Sequence, residues 1–445
     1  MKFSKCARFL WTLLAISTIF IESSLAFRSL YEYARLLSSL ISSKAKIRRI
    51  PEAPTTVSII KRNGYPAETH LVPTEDGYIL EMHRIPHSRN VDPNNATAIR
   101  LRREAKYPVL VQHGNFQSSA DWVINYPIKD ALAFALADEG YDVWLGNQRG
   151  NDYSYRHREF PLSSNSFWNF SFHEIGTYDV PAMLDYITNQ TAMPKVNYIG
   201  FSMGTTAFFA GLSKRPEYNN KINMGVMLGP TPFQEYFLNG AVRVVSAAVW
   251  AGEIVQNVIG TIPALPQFLT NVLHRVLPIL CSPRIDVFGV CINVIRLAFG
   301  DDHGNIEGEK MQVITSVFPS PNSMKMFLHI MQLIATGKFT EYDYGTAKNM
   351  KAYNRANPPD YNLTNIRVPI SIIVGENDII GHPEDAKTLA SKLPNVVDFH
   401  YVPNPHFTHL DFTYAKDTRS LVYNHILEML NNTAKSLQID IKKRK

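Results

Sequence analysis

The sequence has no metal-binding signature. The H-E-x-x-H motif is absent, and 14 histidines are scattered over 445 residues. Because a metal site needs ligands at a defined spacing, we predict neither a metal nor another cofactor. No internal repeat or low-complexity tract is evident. The composition, 45% hydrophobic and 19% charged, is that of a globular protein with a large core.

Most of the chain also lacks an excess of charge, although the formal net charge is +6. Lys2, Lys5 and Arg8, set against Glu22, account for two of these charges. The basic tail, residues 436–445, ends in KKRK, which accounts for the other four. The body of the chain is therefore close to neutral, and we predict no nucleic-acid partner and a solvated tail.

The N-terminal hydrophobic run is too short to span a membrane comfortably. Residues 9–21 are apolar-rich, follow three basic residues, and precede the small residues Ser24-Leu25-Ala26. This pattern predicts a secretory signal peptide over residues 1–26, with an uncleaved anchor as the weaker alternative. Residues 27–58 are predicted to be an N-terminal extension, or a pro-segment clipped near Arg48-Arg49.

Cysteine is scarce, with three residues in the chain. Cys6 lies in the predicted signal peptide. Cys281 and Cys291 form an even pair in an oxidising compartment, which predicts a local disulfide, with two free buried thiols as the alternative. Five N-x-S/T sequons also support the secretory pathway, and thus an extracellular or lysosomal location. They begin at Asn95, Asn169, Asn189, Asn362 and Asn431.

The segment 195–206, KVNYIGFSMGTT, matches G-x-S-x-G around Ser202. A short apolar strand precedes the motif and an apolar helix follows it. This order is the context of a nucleophile elbow, in which a serine on a tight turn exposes its hydroxyl. Gly200 and Gly204 are required because any side chain there would collide with the neighbouring strand or helix.

Strands and helices alternate along the rest of the chain, with helices predicted over residues 121–137 and 383–392 among them. This alternation predicts an α/β fold with a mostly parallel central sheet and helices on both faces. The predicted core has a first part over residues 59–232 and a second part over residues 350–435. Between them, residues 233–349 are predicted to form a helical cap. A membrane span over residues 241–259 is the weaker alternative there, because Arg243, Glu253 and several polar residues interrupt it.

A nucleophilic serine needs a histidine base oriented by a carboxylate, and in this sheet topology both follow later strands, acid first. Asp378 follows the predicted strand 370–374, and His409 follows the predicted strand 396–402. Asp385, in the next predicted helix, and His406, in the same loop as His409, are the competing candidates. We favour Asp378 and His409.

The oxyanion hole needs two main-chain N–H groups, one directly after the serine and one from the loop after the third strand. Met203 occupies the first position. The second falls on Asn115, which follows His113-Gly114 at the end of the strand 107–112.

Five motifs in order resemble those of the acid lipase family, the gastric and lysosomal type, within the α/β-hydrolases. They are His113-Gly114 with residues 118–123 (SSADWV), residues 141–150 (YDVWLGNQRG), residues 167–172 (FWNFSF), residues 200–206 and Gly375–Asp378 with residues 409–412. The resemblance covers nearly all of the chain from about Ile59. It implies the same catalytic residues, a disulfide in the cap, and hydrolysis of neutral lipid esters beneath that cap.

Three positions depart from the family pattern. Phe201 and Met203 stand where the family usually has His and Gln, and Asn115 stands where it usually has Leu. Backbone donors survive such changes, so the departures concern the acyl pocket and substrate preference.

The leading hypothesis is a lipase that hydrolyses carboxyl esters of triacylglycerol or sterols through an acyl-enzyme intermediate. Its expected partners are the neutral lipid ester and the lipid–water interface, with no transmembrane segment in the mature chain. A general carboxylesterase or acyltransferase, and a non-catalytic lipid-binding protein of the same fold, are the alternatives.

Overall fold

The computed structural model describes residues 52–92, 94–95, 97, 106–240 and 261–444. The predicted signal peptide, most of the N-terminal extension and the membrane-span alternative at 241–259 lie outside these residues. Within the described residues, no helix is both long enough and apolar enough to cross a membrane.

In the described part of the chain, nine strands form one sheet in the order β1-β2-β4-β3-β6-β7-β8-β9, with β5 paired to β2. Along the path β4-β3-β6-β7-β8-β9, every pairing is parallel. Strand β2 is antiparallel to each of its partners, β1, β4 and β5. The strands are β1 Glu68–Pro73, β2 Tyr78–Ile85, β3 Val109–Gln112, β4 Val143–Leu145, β5 Arg156–His157, β6 Val196–Phe201, β7 Ile222–Leu228, β8 Ile370–Val374 and β9 Val396–Tyr401.

Helices cover both faces of this sheet. The helices of the described residues are α1 Thr56–Arg62, α2 Leu132–Asp138, α3 Phe172–Glu174, α4 Val180–Thr191, α5 Met203–Lys214, α6 Gln267–Leu280, α7 Val290–Phe299, α8 Met311–Ile314, α9 Met324–Thr336, α10 Thr346–Tyr353, α11 Pro383–Lys392, α12 Asp411–Tyr414 and α13 Asn424–Arg444. A π-helical turn, Ile175–Asp179, joins α3 to α4, and another, Arg419–Tyr423, precedes α13.

The core is divided by the sheet into two clusters. Val109 and Val111 of β3 pack with α2 and α13 on one face. Leu110, between them, packs with α4 and α5 on the other. Because successive side chains of a strand point to opposite faces, a central strand covered on both sides is buried along its whole length, as β3 and β6 are.

Most elements lie where the sequence predicts them, and α11 and β8 have the predicted bounds. The helix predicted over residues 121–137 is wrong as far as residue 131. Short 3₁₀ turns at Ser119–Trp122 and Ile128–Asp130 precede α2, which begins only at Leu132. Pro127 lies between them, and a proline has no N–H to continue a helix.

Between β7 and β8 the described residues form α6 to α10 and contribute no strand to the sheet. A disulfide joins Cys281, directly after α6, to Cys291 in α7. These two helices therefore share a covalent link in the region predicted to be the cap. The domain boundaries themselves stay a prediction.

Candidate active site

Ser202 lies on the tight turn between β6 and α5. Its backbone has φ 53° and ψ −123°, a conformation that L residues rarely adopt. A Cβ added at Gly204 would lie 2.8 Å from the carbonyl oxygen of His113, so only glycine allows the first turn of α5 to approach β3. The elbow predicted from the sequence therefore has the expected strand, turn and helix.

His409 lies in the loop between β9 and α12, 207 residues from Ser202 in sequence. Its Nε2 is 2.7 Å from the Ser202 hydroxyl oxygen, and its Nδ1 is 2.7 Å from Asp378 Oδ2. The ring also packs on Phe201, with 4.8 Å between ring centroids. The three side chains form one continuous hydrogen-bonded line, as the sequence predicts.

Asp378 is held by backbone donors. Its Oδ1 accepts hydrogen bonds from the N–H groups of Ile380 at 2.9 Å and Gly381 at 2.8 Å, which leaves Oδ2 facing the imidazole. The carboxylate is 1% exposed, and His409 is 2% exposed. Burial strengthens the Asp378–His409 interaction, because the effective dielectric constant is lower than in water.

The competing candidates lie elsewhere. Asp385 in α11 accepts hydrogen bonds from the backbone N–H groups of Glu235 and Tyr236, each at 3.0 Å. His406 is exposed and stacks on His303, with 4.1 Å between ring centroids. Neither side chain has a hydrogen bond to Ser202 or His409 within the described part of the chain.

The two predicted oxyanion donors flank the serine. Met203 is the first residue of α5, so its N–H has no carbonyl partner within its own helix. Asn115 lies in the loop after β3, which packs directly on the nucleophile: a Cβ at Gly114 would lie 3.1 Å from the Ser202 Cβ. The Asn115 side-chain oxygen accepts a hydrogen bond from Asn322 Nδ2 at 2.6 Å.

Ser202 and His409 open onto a cavity of about 260 Å³. Its walls are mainly aromatic and aliphatic, and α7 and α9 contribute to them through Phe299 and Ile330. Seven phenylalanines line it: Phe116, Phe172, Phe201, Phe237, Phe299, Phe318 and Phe327. The cavity fits an apolar acyl chain or alcohol better than a charged group.

Comparisons with known proteins agree with this geometry. A family described as "Partial alpha/beta-hydrolase lipase region" matches residues 56–126, and one described as "alpha/beta hydrolase fold" matches residues 107–259. Lipase 3 of Drosophila melanogaster is 36% identical over 374 residues, which is 84% of this chain and 92% of that protein. Gastric triacylglycerol lipase of Bos taurus is 34% identical over 399 residues, covering 86% and 93%. Lipase member N of Homo sapiens is 36% identical over 379 residues, covering 84% and 90%.

The chain belongs to the acid lipase family of the α/β-hydrolases. The predicted family, fold class and ester-hydrolase class are thereby confirmed. The roles of individual residues stay predictions.

In this acid lipase family member, Asp411 supports the loop of His409, a role that the sequence pattern did not indicate. Its Oδ2 accepts hydrogen bonds from Thr408 N at 2.7 Å and from Asn305 Nδ2 at 2.9 Å. Oδ1 is buried without a hydrogen-bond partner in the described residues. Burial raises the pKa of Asp411 to about 7, so the loop is assembled with least cost when this carboxyl is protonated.

We expect the contribution of Asp411 to the free energy of unfolding to fall as the pH rises from about 4 towards 7. The unfolded pKa of such a carboxyl is about 3.9, so a raised folded pKa means that the folded state binds the proton more tightly. The stability that this proton contributes is lost as the pH rises through the folded pKa. Asp411→Asn removes the titration, so the unfolding midpoint of the variant, measured between pH 4 and 8, is expected to gain on that of the parent as the pH rises.

Asp121, whose pKa burial also raises to about 7, retains its share of the pH dependence in that variant. Asp301→Asn is the control, because this carboxylate is 64% exposed. An unchanged pH slope in Asp411→Asn would contradict the prediction.

Proposed function

We propose that this protein is a lipase that hydrolyses carboxyl esters of neutral lipids, triacylglycerols or sterol esters, through an acyl-enzyme intermediate. The observation that carries the proposal is the hydrogen-bonded line Ser202–His409–Asp378 at the base of a cavity lined by seven phenylalanines. The names of the relatives, which include triacylglycerol lipases, support the same substrate class.

In the proposed reaction, His409 Nε2 takes the proton of the Ser202 hydroxyl as its oxygen attacks the ester carbonyl. The N–H groups of Asn115 and Met203 hold the oxyanion, and each could contribute about 3 kcal/mol to transition-state stabilisation. The imidazolium then gives its proton to the leaving alcohol. Water, activated by the same histidine, releases the fatty acid.

Apolar side chains on the outside of the predicted cap support contact with a lipid surface. We define the cap surface as Phe268, Val287, Phe288, Val294 and Leu297, which are 51% to 82% exposed. Val294 and Leu297 belong to α7, the helix that lines the cavity through Phe299. Large apolar side chains exposed close together in sequence, as Val287, Phe288, Val294 and Leu297 are, are typical of an interaction site, and here the site would be the lipid–water interface.

We expect Val287→Ser/Phe288→Ser to lower hydrolysis of an emulsified trioleoylglycerol about tenfold or more. Transferring a phenylalanine side chain out of water contributes about 1.5–3 kcal/mol, and about 1.4 kcal/mol corresponds to a tenfold change in binding. The measurement compares this emulsion with a water-soluble p-nitrophenyl butyrate, whose hydrolysis is expected to be nearly unchanged.

Val397→Ser is the matched control, because Val397 is 53% exposed but lies on the edge strand β9, outside the predicted cap. Equal losses on the emulsion in both variants would argue against a lipid-docking role for the cap surface. A parent protein that hydrolyses only the soluble ester would favour the general carboxylesterase.

We also propose that the protein enters the secretory pathway and reaches an extracellular or lysosomal location. Four sequon asparagines, Asn95, Asn169, Asn189 and Asn362, are exposed. The fifth, Asn431, donates from Nδ2 to Glu139 at 3.0 Å and accepts hydrogen bonds from Lys106 and Tyr141. A glycan on Nδ2 would disrupt these contacts, so we expect Asn431 to be unmodified.

A further inference from the structure

A connected set of buried polar side chains lies behind the loop that carries Asn115, and the reaction proposed above does not use it. The set, here called the polar brace, consists of Gln117, Asp121, Thr413 and Tyr414, each 1% exposed. Burying polar groups is unfavourable unless they bond one another, and a satisfied network fixes the relative positions of its members.

Gln117 is the centre of the brace. Its Oε1 accepts a hydrogen bond from the backbone N–H of Gly114 at 3.0 Å. Its Nε2 donates to the Tyr414 hydroxyl at 3.2 Å and lies 3.5 Å from the Thr413 hydroxyl. Because both ends of the amide are used, the side chain has one orientation, with its oxygen towards the oxyanion loop.

The other end of the brace returns to the same loop. The Tyr414 hydroxyl donates to Asp121 Oδ1, and Asp121 Oδ2 accepts from the backbone N–H of Ser118 at 2.7 Å. Tyr414 is the last residue of α12, the helix that follows the His409 loop. The brace therefore joins the segment that carries the predicted base to the loop that carries a predicted oxyanion donor.

The position of Gly114 bears on the direction of the Asn115 N–H, because the Asn115 N–H shares a peptide plane with the Gly114 carbonyl, and Gln117 holds the N–H of the peptide on the other side of the Gly114 Cα. An oxyanion donor is effective only when it points at the developing charge at hydrogen-bond distance. Glycine has more backbone freedom than any other residue, so this turn is defined only when both peptides of Gly114 are held. The Gly114 carbonyl accepts a hydrogen bond from His113 Nδ1 at 2.8 Å, and Gln117 holds the Gly114 N–H. Within the described residues, the hydrogen-bond partner of the Gly114 N–H is Gln117.

We propose that Gln117 is a positioning residue: braced by Tyr414, it holds the peptide of Gly114 so that the Asn115 N–H faces the oxyanion. The inference rests on the proposed ester hydrolysis. It assigns to Gln117 an effect on the rate of the chemical step rather than on substrate binding.

The test measures kcat and KM on p-nitrophenyl butyrate for Gln117→Met, Tyr414→Phe and the double variant. Removing an oxyanion donor costs roughly 100-fold or more in kcat, so a donor that is merely misdirected is expected to cost about 10-fold to 100-fold. We expect this loss in Gln117→Met, with KM within about twofold of the parent. The kcat of Tyr414→Phe is expected to fall about fivefold. The kcat of the double variant is expected to fall no further than that of Gln117→Met alone, because both changes break the same hydrogen bond between Gln117 and Tyr414.

Gln112→Met is the matched control. Gln112 is fully buried near the same elbow, and neither polar atom of its side chain has a hydrogen-bond partner in the described residues. A loss of kcat in Gln112→Met equal to that in Gln117→Met would show that the loss comes from disturbed packing rather than from the hydrogen bonds of Gln117, and it would overturn the proposal. So would additive losses in the double variant, or a kcat in Gln117→Met within twofold of the parent.

Thermal unfolding checks that each variant is folded. If Gln117→Met does not fold, Tyr414→Phe, which removes one oxygen atom, decides by the same criterion of kcat against KM. A parent protein without esterase activity would instead reject the proposed function. An active parent with an equally active Gln117→Met would reject only the positioning role.

Discussion

Replacing Ser202 with alanine is expected to lower ester hydrolysis by roughly 10⁵-fold or more. The Ser202 oxygen lies 2.7 Å from His409 Nε2, and no other side chain in the described residues bonds that nitrogen. Without the hydroxyl no acyl-enzyme can form, and only oxyanion stabilisation and substrate binding remain. The measurement is kcat/KM on both emulsified trioleoylglycerol and p-nitrophenyl butyrate.

Covalent labelling by a fluorophosphonate probe tests the same residue independently of substrate choice. The parent protein is expected to be labelled and Ser202→Ala is not. Ser213→Ala is the control, because Ser213 is a buried serine of α5, the helix that follows Ser202. A parent protein that takes no label would support the non-catalytic lipid-binding alternative. Label retained in Ser202→Ala would place the nucleophile elsewhere.

The second large effect is expected from Asp378→Asn, with kcat lowered by about 10⁴-fold. The Asp378 carboxylate accepts the Nδ1–H of His409 at 2.7 Å, which leaves Nε2 unprotonated to receive the serine proton. An asparagine amide can donate to Nδ1 instead, and the imidazole would then carry its proton on Nε2, where it blocks proton transfer. The shape of the site would hardly change, so the loss would report on the tautomer.

Asp385→Asn is the matched control for this prediction. Asp385 is 2% exposed and lies only seven residues further along, but it bonds the backbone of Glu235 and Tyr236 rather than His409. We expect its kcat to stay within about tenfold of the parent, because its effect is confined to packing. The reverse ranking of the two variants would show that the acid of the site has been misassigned.

Local sequence patterns determined much of this protein. The apolar strand, glycine-flanked serine and helix at residues 195–206 predict the elbow, because each depends on backbone conformations that neighbouring residues set. The alternation of strands and helices likewise predicts a parallel sheet. It also predicts that Asp378 and His409 follow later strands, at the edge of the sheet where the serine lies.

The tertiary structure alone decided between candidates that share a local pattern. Asp378 and Asp385, or His409 and His406, are close in sequence, and spacing cannot say which side chain reaches a serine about 200 residues away. The parallel registers of β6, β7, β8 and β9 bring the loops of Ser202, Asp378 and His409 together.

The polar brace and the carboxyl of Asp411 could not be predicted from the sequence for the same reason. Gln117 and Tyr414 are 297 residues apart, and a single glutamine or tyrosine carries no local signal of its partner. A sequence pattern records the conformation of a segment, because that is set by residues a few positions away. Contacts between segments, and the burial that shifts a pKa, are set only when the sheet brings those segments together.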